Sequence, residues 1–148
     1  MLTNREKTPG LRINRISSVL WPEFRNELRF KYFENRLCNV ISSKVPEIVA
    51  KSIQTLCKNL SKDNTHFAFH AGGRKVLDAI QARNGLADGQ MQPSRQILKE
   101  YGNMSSPSVL FVLKNILKQK LNDKDSVVCF AFGAGFLASM LQAEWQSG

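Results

Sequence analysis

The segment from residue 66 to residue 85 constrains the fold of this chain more than any other. Residues 66–71 are a short apolar run of strand length, Gly72-Gly73 follows at once, and apolar residues then recur at helical spacing. Paired glycines make a tight turn, and Asn84-Gly85 is typical of the end of a helix. The segment therefore predicts a strand, a glycine turn and a helix in direct succession, which places the chain in the α/β class.

The N-terminal part predicts two strands before this unit. Residues 1–10 are polar, and we interpret them as a flexible lead to one domain over residues 11–148. β-branched residues are frequent in residues 11–20, and residues 30–41 continue in extended style. The two segments therefore predict a strand pair, a hairpin or meander around the connection 21–27.

Helices dominate the middle of the chain and strands end it. A proline at each start and apolar residues at helical spacing predict helices over about residues 46–60 and 93–101. A further helix over about 106–120 is apolar nearly all round its first half, which predicts burial on several sides. Residues 126–132 and 136–145 predict two final strands. The predicted order is ββαβααββ, a mixed sheet with packed helices.

Length and composition favour one globular domain, because 43% of the 148 residues are apolar and 22% are charged. No apolar run reaches the roughly 18 to 20 residues that span a bilayer, and the first ten residues lack the apolar middle of a signal peptide. We therefore expect a cytoplasmic protein without a membrane partner. Cys38, Cys57 and Cys129 form no Cys-x-x-Cys or Cys-His group, so we expect reduced thiols and neither a disulfide nor a metal site.

The net charge of +9 suits a polyanionic partner, either nucleic acid or the phosphates of coenzyme A. Acidic residues interleave with the basic ones, and most phenylalanines lie inside apolar runs. Nucleic-acid binding needs clustered basic residues and exposed aromatic side chains, so the sequence disfavours it. A nucleic-acid-binding domain remains a third interpretation that only the charge supports.

A histidine and an asparagine are the candidates for chemistry. His70 ends the predicted strand, and Asn103 lies 33 residues later in the segment Tyr101-Gly-Asn-Met-Ser-Ser106. Taken singly, each has an ordinary alternative, since a strand-end histidine is often structural and an asparagine often caps a helix or makes a turn. Gly72 and Gly73 either make only a turn or let the backbone approach a thioester or phosphate-bearing arm closely.

Together, the two side chains meet the requirement of a decarboxylative condensation. When a malonyl thioester loses carbon dioxide, negative charge develops on the thioester oxygen as the enolate forms. An imidazole N–H and a carboxamide N–H are neutral donors that stabilise such an oxygen, whereas an anionic side chain would oppose its charge. His70 and Asn103 are therefore candidate catalytic residues that could donate to such an oxygen.

The motifs around these two residues resemble the C-terminal domain of type III polyketide synthases, the chalcone and stilbene synthase family. The resemblance covers nearly all of residues 11–146 and includes His70-Ala-Gly-Gly73 and Tyr101-Gly-Asn-Met-Ser-Ser106. It also includes residues 131–135, Ala-Phe-Gly-Ala-Gly, which correspond to the family's Gly-Phe-Gly-Pro-Gly loop. The order and spacing of the three motifs carry the resemblance.

The chain departs from the family pattern at several positions. Alanine replaces the first glycine and the proline of the glycine loop, and Ala71 and Arg74 stand where the family usually has proline. The aromatic residue that helps to gate the plant cavity corresponds to Asn39. These departures leave His70 and Asn103 intact but argue against a plant-like product specificity.

The resemblance implies the C-terminal half of a thiolase-like fold, with substrate-binding residues near the catalytic pair. In the complete enzyme, a cysteine of the N-terminal half holds the starter acyl group, while His70 and Asn103 bind the thioester carbonyl and stabilise the enolate. The residues implied to bind substrate or coenzyme A are Gly72, Gly73, Ser105, Phe132, Gly133 and Gly135.

Acyl-CoA and malonyl-CoA are the implied substrates, with no further cofactor. The complete enzyme is expected to be a homodimer. None of the three cysteines has the helix N-terminal setting of the family's nucleophile, so we expect this chain to be inactive by itself and to expose an apolar face meant for the other half. The alternative is a non-catalytic partner subunit that binds acyl thioesters. Loss of the glycine-loop proline favours it, whereas retention of His70 and Asn103 disfavours it.

Overall fold

The computed structural model describes residues 8–148, which form six β-strands and four α-helices. In chain order these are β1 (Gly10–Leu20), β2 (Leu28–Phe33), β3 (Arg36–Ile41), α1 (Val45–Leu56), β4 (Thr65–Phe69), α2 (Arg74–Asn84), α3 (Asp88–Tyr101), α4 (Pro107–Leu117), β5 (Ser126–Gly133) and β6 (Leu137–Gln146). The α/β class is confirmed. The structure has the order βββαβαααββ, whereas the predicted order is ββαβααββ. The missing strand is the second strand of a hairpin, and the missing helix is one of the four predicted helical segments, which that order leaves out. The predicted flexible lead over residues 1–10 lies mostly outside the described residues. None of the helices within residues 8–148 is long and apolar enough to cross a membrane.

A four-stranded sheet in the order β1-β6-β5-β4 forms the centre of the structure. β4 runs parallel to β5, whereas β6 is antiparallel to both β5 and β1. The predicted mixed sheet is therefore confirmed. β4 lies at one edge of the sheet, and the chain leaves its carboxyl end at His70.

β2 and β3 form a separate two-stranded hairpin. The predicted pairing of the first two strand segments is wrong, because β1 pairs with β6 instead, with Gly10 opposite Gln146. The hairpin turns at Glu34-Asn35, whose φ angles of 47° and 58° are typical of a two-residue turn that follows the twist of the strands. Since this turn lacks the usual glycine, residues 30–41 read as one continuous segment in the sequence.

α3 begins at Asp88, five residues before the predicted start at Pro93. The side chain of Gln90 accepts the backbone N–H of Ala87 at 3.1 Å and so satisfies a donor at the start of the helix. Pro93 is buried and lies inside the helix. The predicted start is wrong because a proline indicates the early turns of a helix without identifying its first residue.

The two faces of β4 pack against different helices, because side chains alternate along a strand. Phe67 and Phe69 belong to the cluster formed with α1 and α2, and their rings stack on Phe130 of β5 at centroid distances of 6.5 Å and 5.3 Å. Ala68 points to the other face and packs with α3 and α4. β4 is therefore buried on both faces, and this frame positions the residue that follows it, His70.

α4 is buried on one side only, which contradicts the predicted burial on several sides. Val112 and Ile116 are fully buried against the sheet, whereas the side chains of Leu110 and Phe111 are 63% and 40% exposed. The ring of Phe111 lies against that of Tyr101, the last residue of α3, at a centroid distance of 5.5 Å, but both side chains remain exposed. The apolar pattern of α4 therefore exceeds what the packing within the described part of the chain uses.

Candidate active site

His70 lies at the carboxyl end of β4, where the sheet holds its backbone. Its N–H donates to the carbonyl of Phe130 at 2.9 Å, and its ring meets the ring of Phe132 edge to face at a centroid distance of 4.8 Å. Within residues 8–148, neither ring nitrogen has a hydrogen-bond partner. The residue is 8% exposed, and this burial lowers the pKa of the His70 imidazole below its usual value. The ring is thus neutral at pH 7, with one N–H donor and one acceptor nitrogen.

Gly72 makes the close turn that follows the histidine. Its N–H donates to the carbonyl of His70 at 2.9 Å. A Cβ at Gly72 would lie 3.2 Å from the Phe132 ring and 3.4 Å from the His70 ring, so the turn has little room for a side chain. Gly73 precedes α2 and accepts the N–H groups of Val76 and Leu77, both at 3.1 Å.

Asn103 follows α3 and connects its loop to the histidine turn. Its side-chain Nδ2 donates to the carbonyl of Gly72 at 3.0 Å, and its Oδ1 accepts the backbone N–H of Ser105 at 2.8 Å. These two bonds fix the plane of the carboxamide. Since Nδ2 carries two hydrogens, one remains to donate to a ligand.

His70 and Asn103 line one cleft of about 450 Å³. Four more of the predicted binding residues line it as well, namely Gly72, Ser105, Phe132 and Gly133. Gly73 and Gly135 do not line it. Among the described residues that line the cleft, none carries a side chain that is charged at pH 7.

The arrangement suits the stabilisation of an oxygen that becomes negative. A neutral imidazole and a carboxamide both provide N–H donors at one cleft, and no carboxylate lines it to oppose the developing charge. Residues 8–148 contain no cluster of three side chains that could hold a metal ion.

Residues 17–142 match the model of the C-terminal domain of chalcone and stilbene synthases. The chain belongs to this family. Phloroglucinol synthase of Pseudomonas fluorescens is 29% identical over 95% of this chain and 42% of its own length. A putative chalcone synthase of Bacillus subtilis is 28% identical over 88% of this chain and 38% of its own length. The domain thus spans about two fifths of the curated relatives it matches.

Solved structures show the same fold. The TM-score is 0.84 for 1,3,6,8-tetrahydroxynaphthalene synthase of Streptomyces coelicolor, at 23% identity over 97% of this chain and 43% of that one. It is 0.82 for the polyketide synthase PKS-I of the brown alga Ectocarpus siliculosus, at 25% identity over 97% of this chain and 42% of that one. The predicted C-terminal half of a type III polyketide synthase, with a thiolase-like fold, is therefore confirmed.

The family's glycine loop connects the cleft to the hairpin. Gly133 ends β5 and lines the cleft, whereas the N–H of Gly135 donates to the carbonyl of Leu28 at the base of β2. The φ of Gly135 is 109°, a region that favours glycine. Gly135 therefore lies against the hairpin backbone, which accounts for its position outside the cleft.

The hairpin forms one wall of the cleft, which the sequence indicated only through the match of Asn39 to a gate position. Asn39 lines the cleft, and Phe30, which the sequence did not indicate, lines it from the opposite position on β2. Leu28 and Ile41 add apolar surface nearer the base of the hairpin. Apolar residues alternate along both halves of residues 28–41, a pattern that predicts two strands. Because the turn between them lacks a glycine, they read as one segment in the sequence.

The cysteines of the domain are free thiols that do not line the cleft. Burial raises the pKa of Cys57, at the end of α1, to about 11 and that of Cys129, in β5, also to about 11. Both thiols are protonated at neutral pH and so are weak nucleophiles. Cys38 lies beside Asn39 on β3, but consecutive strand residues point to opposite faces of the hairpin.

Proposed function

We propose that the domain is the C-terminal part of a polyketide synthase that condenses malonyl-CoA onto an acyl-CoA starter with loss of carbon dioxide. One observation carries the proposal. His70 and Asn103 follow different elements, yet they line one uncharged cleft, and Gly72 bonds to both, to Asn103 through its carbonyl and to His70 through its N–H. Family membership supports condensation in general.

In the proposed step, the bond between the malonyl α-carbon and its carboxylate breaks and carbon dioxide leaves. The electron pair forms an enolate on the thioester oxygen, which accepts N–H donors from His70 and Asn103. The α-carbon then attacks the starter acyl group, and the cysteine thiolate that held this group leaves. Since none of Cys38, Cys57 and Cys129 lines the cleft, we propose that this thiolate comes from the N-terminal half of the enzyme.

An open apolar face supports a second half of the enzyme as the partner. Ile13, Ile16 and Leu20 of β1 are 58 to 68% exposed, and their cross-strand partners place them on the face of the sheet on which α4 packs. The exposed flank of α4 borders the same face. A soluble domain seldom leaves such a contiguous patch uncovered. We therefore propose that an N-terminal half covers it and that the complete enzyme is a homodimer.

Decarboxylation of malonyl-CoA tests the proposal. The domain is assayed alone and mixed with the separately expressed N-terminal part of the Pseudomonas relative, as wild type and with His70→Ala or Asn103→Ala. Matched controls are His66→Ala, whose ring lies 3.3 Å from Asp125 at the other end of β4, and Asn115→Ala on α4.

Activity that appears only in the mixture, persists in both controls and disappears in both site variants supports the proposal. A stable but silent complex would contradict it and favour the non-catalytic partner subunit. Binding that falls steeply with salt and survives His70→Ala would instead favour nucleic acid.

A further inference from the structure

Two fully buried serines each bind the backbone next to a candidate catalytic residue. Ser94 lies within α3 and Ser108 in the first turn of α4, and both are 0% exposed. The hydroxyl of Ser94 accepts the N–H of Phe69 at 3.1 Å, immediately before His70. The hydroxyl of Ser108 accepts the N–H of Met104 at 3.0 Å, immediately after Asn103. The sequence motifs point to neither serine.

Ser94 provides an acceptor at a strand edge. β4 is the last strand of its sheet, and the N–H of His70 donates towards β5. Because N–H groups alternate in direction along a strand, the N–H of Phe69 points away from β5 to the side where no strand pairs with it. A buried N–H without an acceptor is unfavourable, so the Ser94 hydroxyl fixes this edge of β4. The backbone at His70 is therefore held from both sides.

Ser108 holds the loop of Asn103 in a similar way. The loop makes a tight turn in which Ser105 has a φ of 62°, a conformation that non-glycine residues adopt rarely. The N–H of Ser108 donates to the carbonyl of Ser105 at 3.0 Å, while its hydroxyl accepts from Met104. Ser108 thus binds the loop at two consecutive residues, Met104 through its hydroxyl and Ser105 through its backbone N–H.

α3 connects the two sites. Ser94 lies seven residues before Tyr101, the last residue of the helix, which is a distance of about 10 Å along the axis. The same helix therefore holds the strand that ends at His70 and leads directly into the loop of Asn103. We propose that Ser94 and Ser108 are positioning residues that set the separation and orientation of the His70 and Asn103 side chains. This inference rests on the proposed function only for the chemical role of His70 and Asn103.

Histidine and asparagine side-chain NMR signals of the domain itself test the inference. The chain has two histidines, so His70→Gln identifies the signals of His70. In Ser94→Ala, we expect the His70 ring signals to shift and their titration midpoint to rise towards the usual value, because a loosened turn admits water. In Ser108→Ala, we expect the carboxamide signals of Asn103 to shift.

The controls separate positioning from ordinary packing. Ser52 is also 0% exposed and donates to the carbonyl of Ile48 at 2.8 Å within α1, away from the cleft, so Ser52→Ala should leave both sets of signals unchanged. Ser94→Thr and Ser108→Thr keep the acceptor oxygen but add a methyl group, so their signals should lie nearer to those of the wild type than the signals of the alanine variants do. Near-UV circular dichroism verifies that each variant folds. If one alanine variant does not fold, the other one tests the inference by itself. Alanine variants whose signals match those of Ser52→Ala overturn the inference.

Kinetics of the mixture with an N-terminal half provide a second readout. We expect Ser94→Ala and Ser108→Ala to lower kcat by about tenfold or more with little change in KM, because misplacement of a reacting group slows the chemical step. An unchanged kcat would overturn the inference. If the wild-type mixture is silent but the NMR signals shift as expected, the proposed function fails while the positioning role stands.

Discussion

Substitution of Gly72 by alanine should disturb the site by steric contact alone. The new Cβ would lie 3.2 Å from Cζ of Phe132, which is closer than an ordinary contact, and 3.4 Å from two atoms of the His70 ring, which is the lower limit of an ordinary contact. Extra volume in a packed site costs about 1 to 3 kcal/mol. Phe132 is half-buried and lines the cleft, so its ring can move aside. We therefore expect Gly72→Ala to lower the free energy of unfolding by about 1 kcal/mol, the low end of this range.

The assay is chemical and thermal unfolding of the domain, with Gly73→Ala as the matched control. A Cβ at Gly73 meets no atom within 4 Å, and its φ of 163° is extended backbone that any residue adopts. Gly72→Ala should lower the Tm by about 2 to 4 °C, whereas Gly73→Ala should change stability by less than about 0.5 kcal/mol.

A double variant identifies the contact responsible. Phe132→Leu removes the ring atoms nearest to the new Cβ, so the cost of Gly72→Ala should shrink when it is measured in the Phe132→Leu background. Equal costs for the two glycines, or an undiminished cost in that background, would refute the steric account.

Two further predictions concern buried groups, and a third concerns the exposed apolar face. Burial lowers the pKa of His70 below its usual 6.5, so the stability that its neutral ring contributes is present above about pH 6.5 and is lost as the pH falls. In His70→Gln, the free energy of unfolding by urea should therefore depend less on pH between about pH 5 and 7 than in the wild type. A folded domain incubated with iodoacetamide at pH 8 should keep Cys129 unmodified by mass spectrometry, since a pKa of about 11 leaves about one thiol in a thousand ionised; rapid modification would contradict this. The open apolar face should bind a hydrophobic dye, measured by fluorescence, and promote self-association, measured by light scattering. The double variant Ile16→Lys, Leu110→Lys should reduce both. A wild-type domain that is monomeric and binds no dye would contradict the half-enzyme proposal.

Local patterns in the sequence determined much of the molecule. The apolar run before Gly72 and Gly73, the helical spacing after them and the Asn84-Gly85 end all depend on residues within a few positions of one another, and the structure forms β4, the turn and α2 there. The same holds for the motifs around His70 and Asn103, whose residue types alone indicate neutral hydrogen-bond donors.

Only the tertiary structure decided which of these segments meet. The pairing of β1 with β6 joins opposite ends of the chain, and no local pattern specifies a partner so distant. The meeting of His70 with Asn103, the hairpin wall at Phe30 and the buried hydroxyls of Ser94 and Ser108 depend on how α3, α4 and the sheet pack together. Periodicity indicates whether a residue lies in a helix or a strand and whether its side chain faces the core. Long-range packing determines which residues it contacts, and these contacts set the geometry of the site.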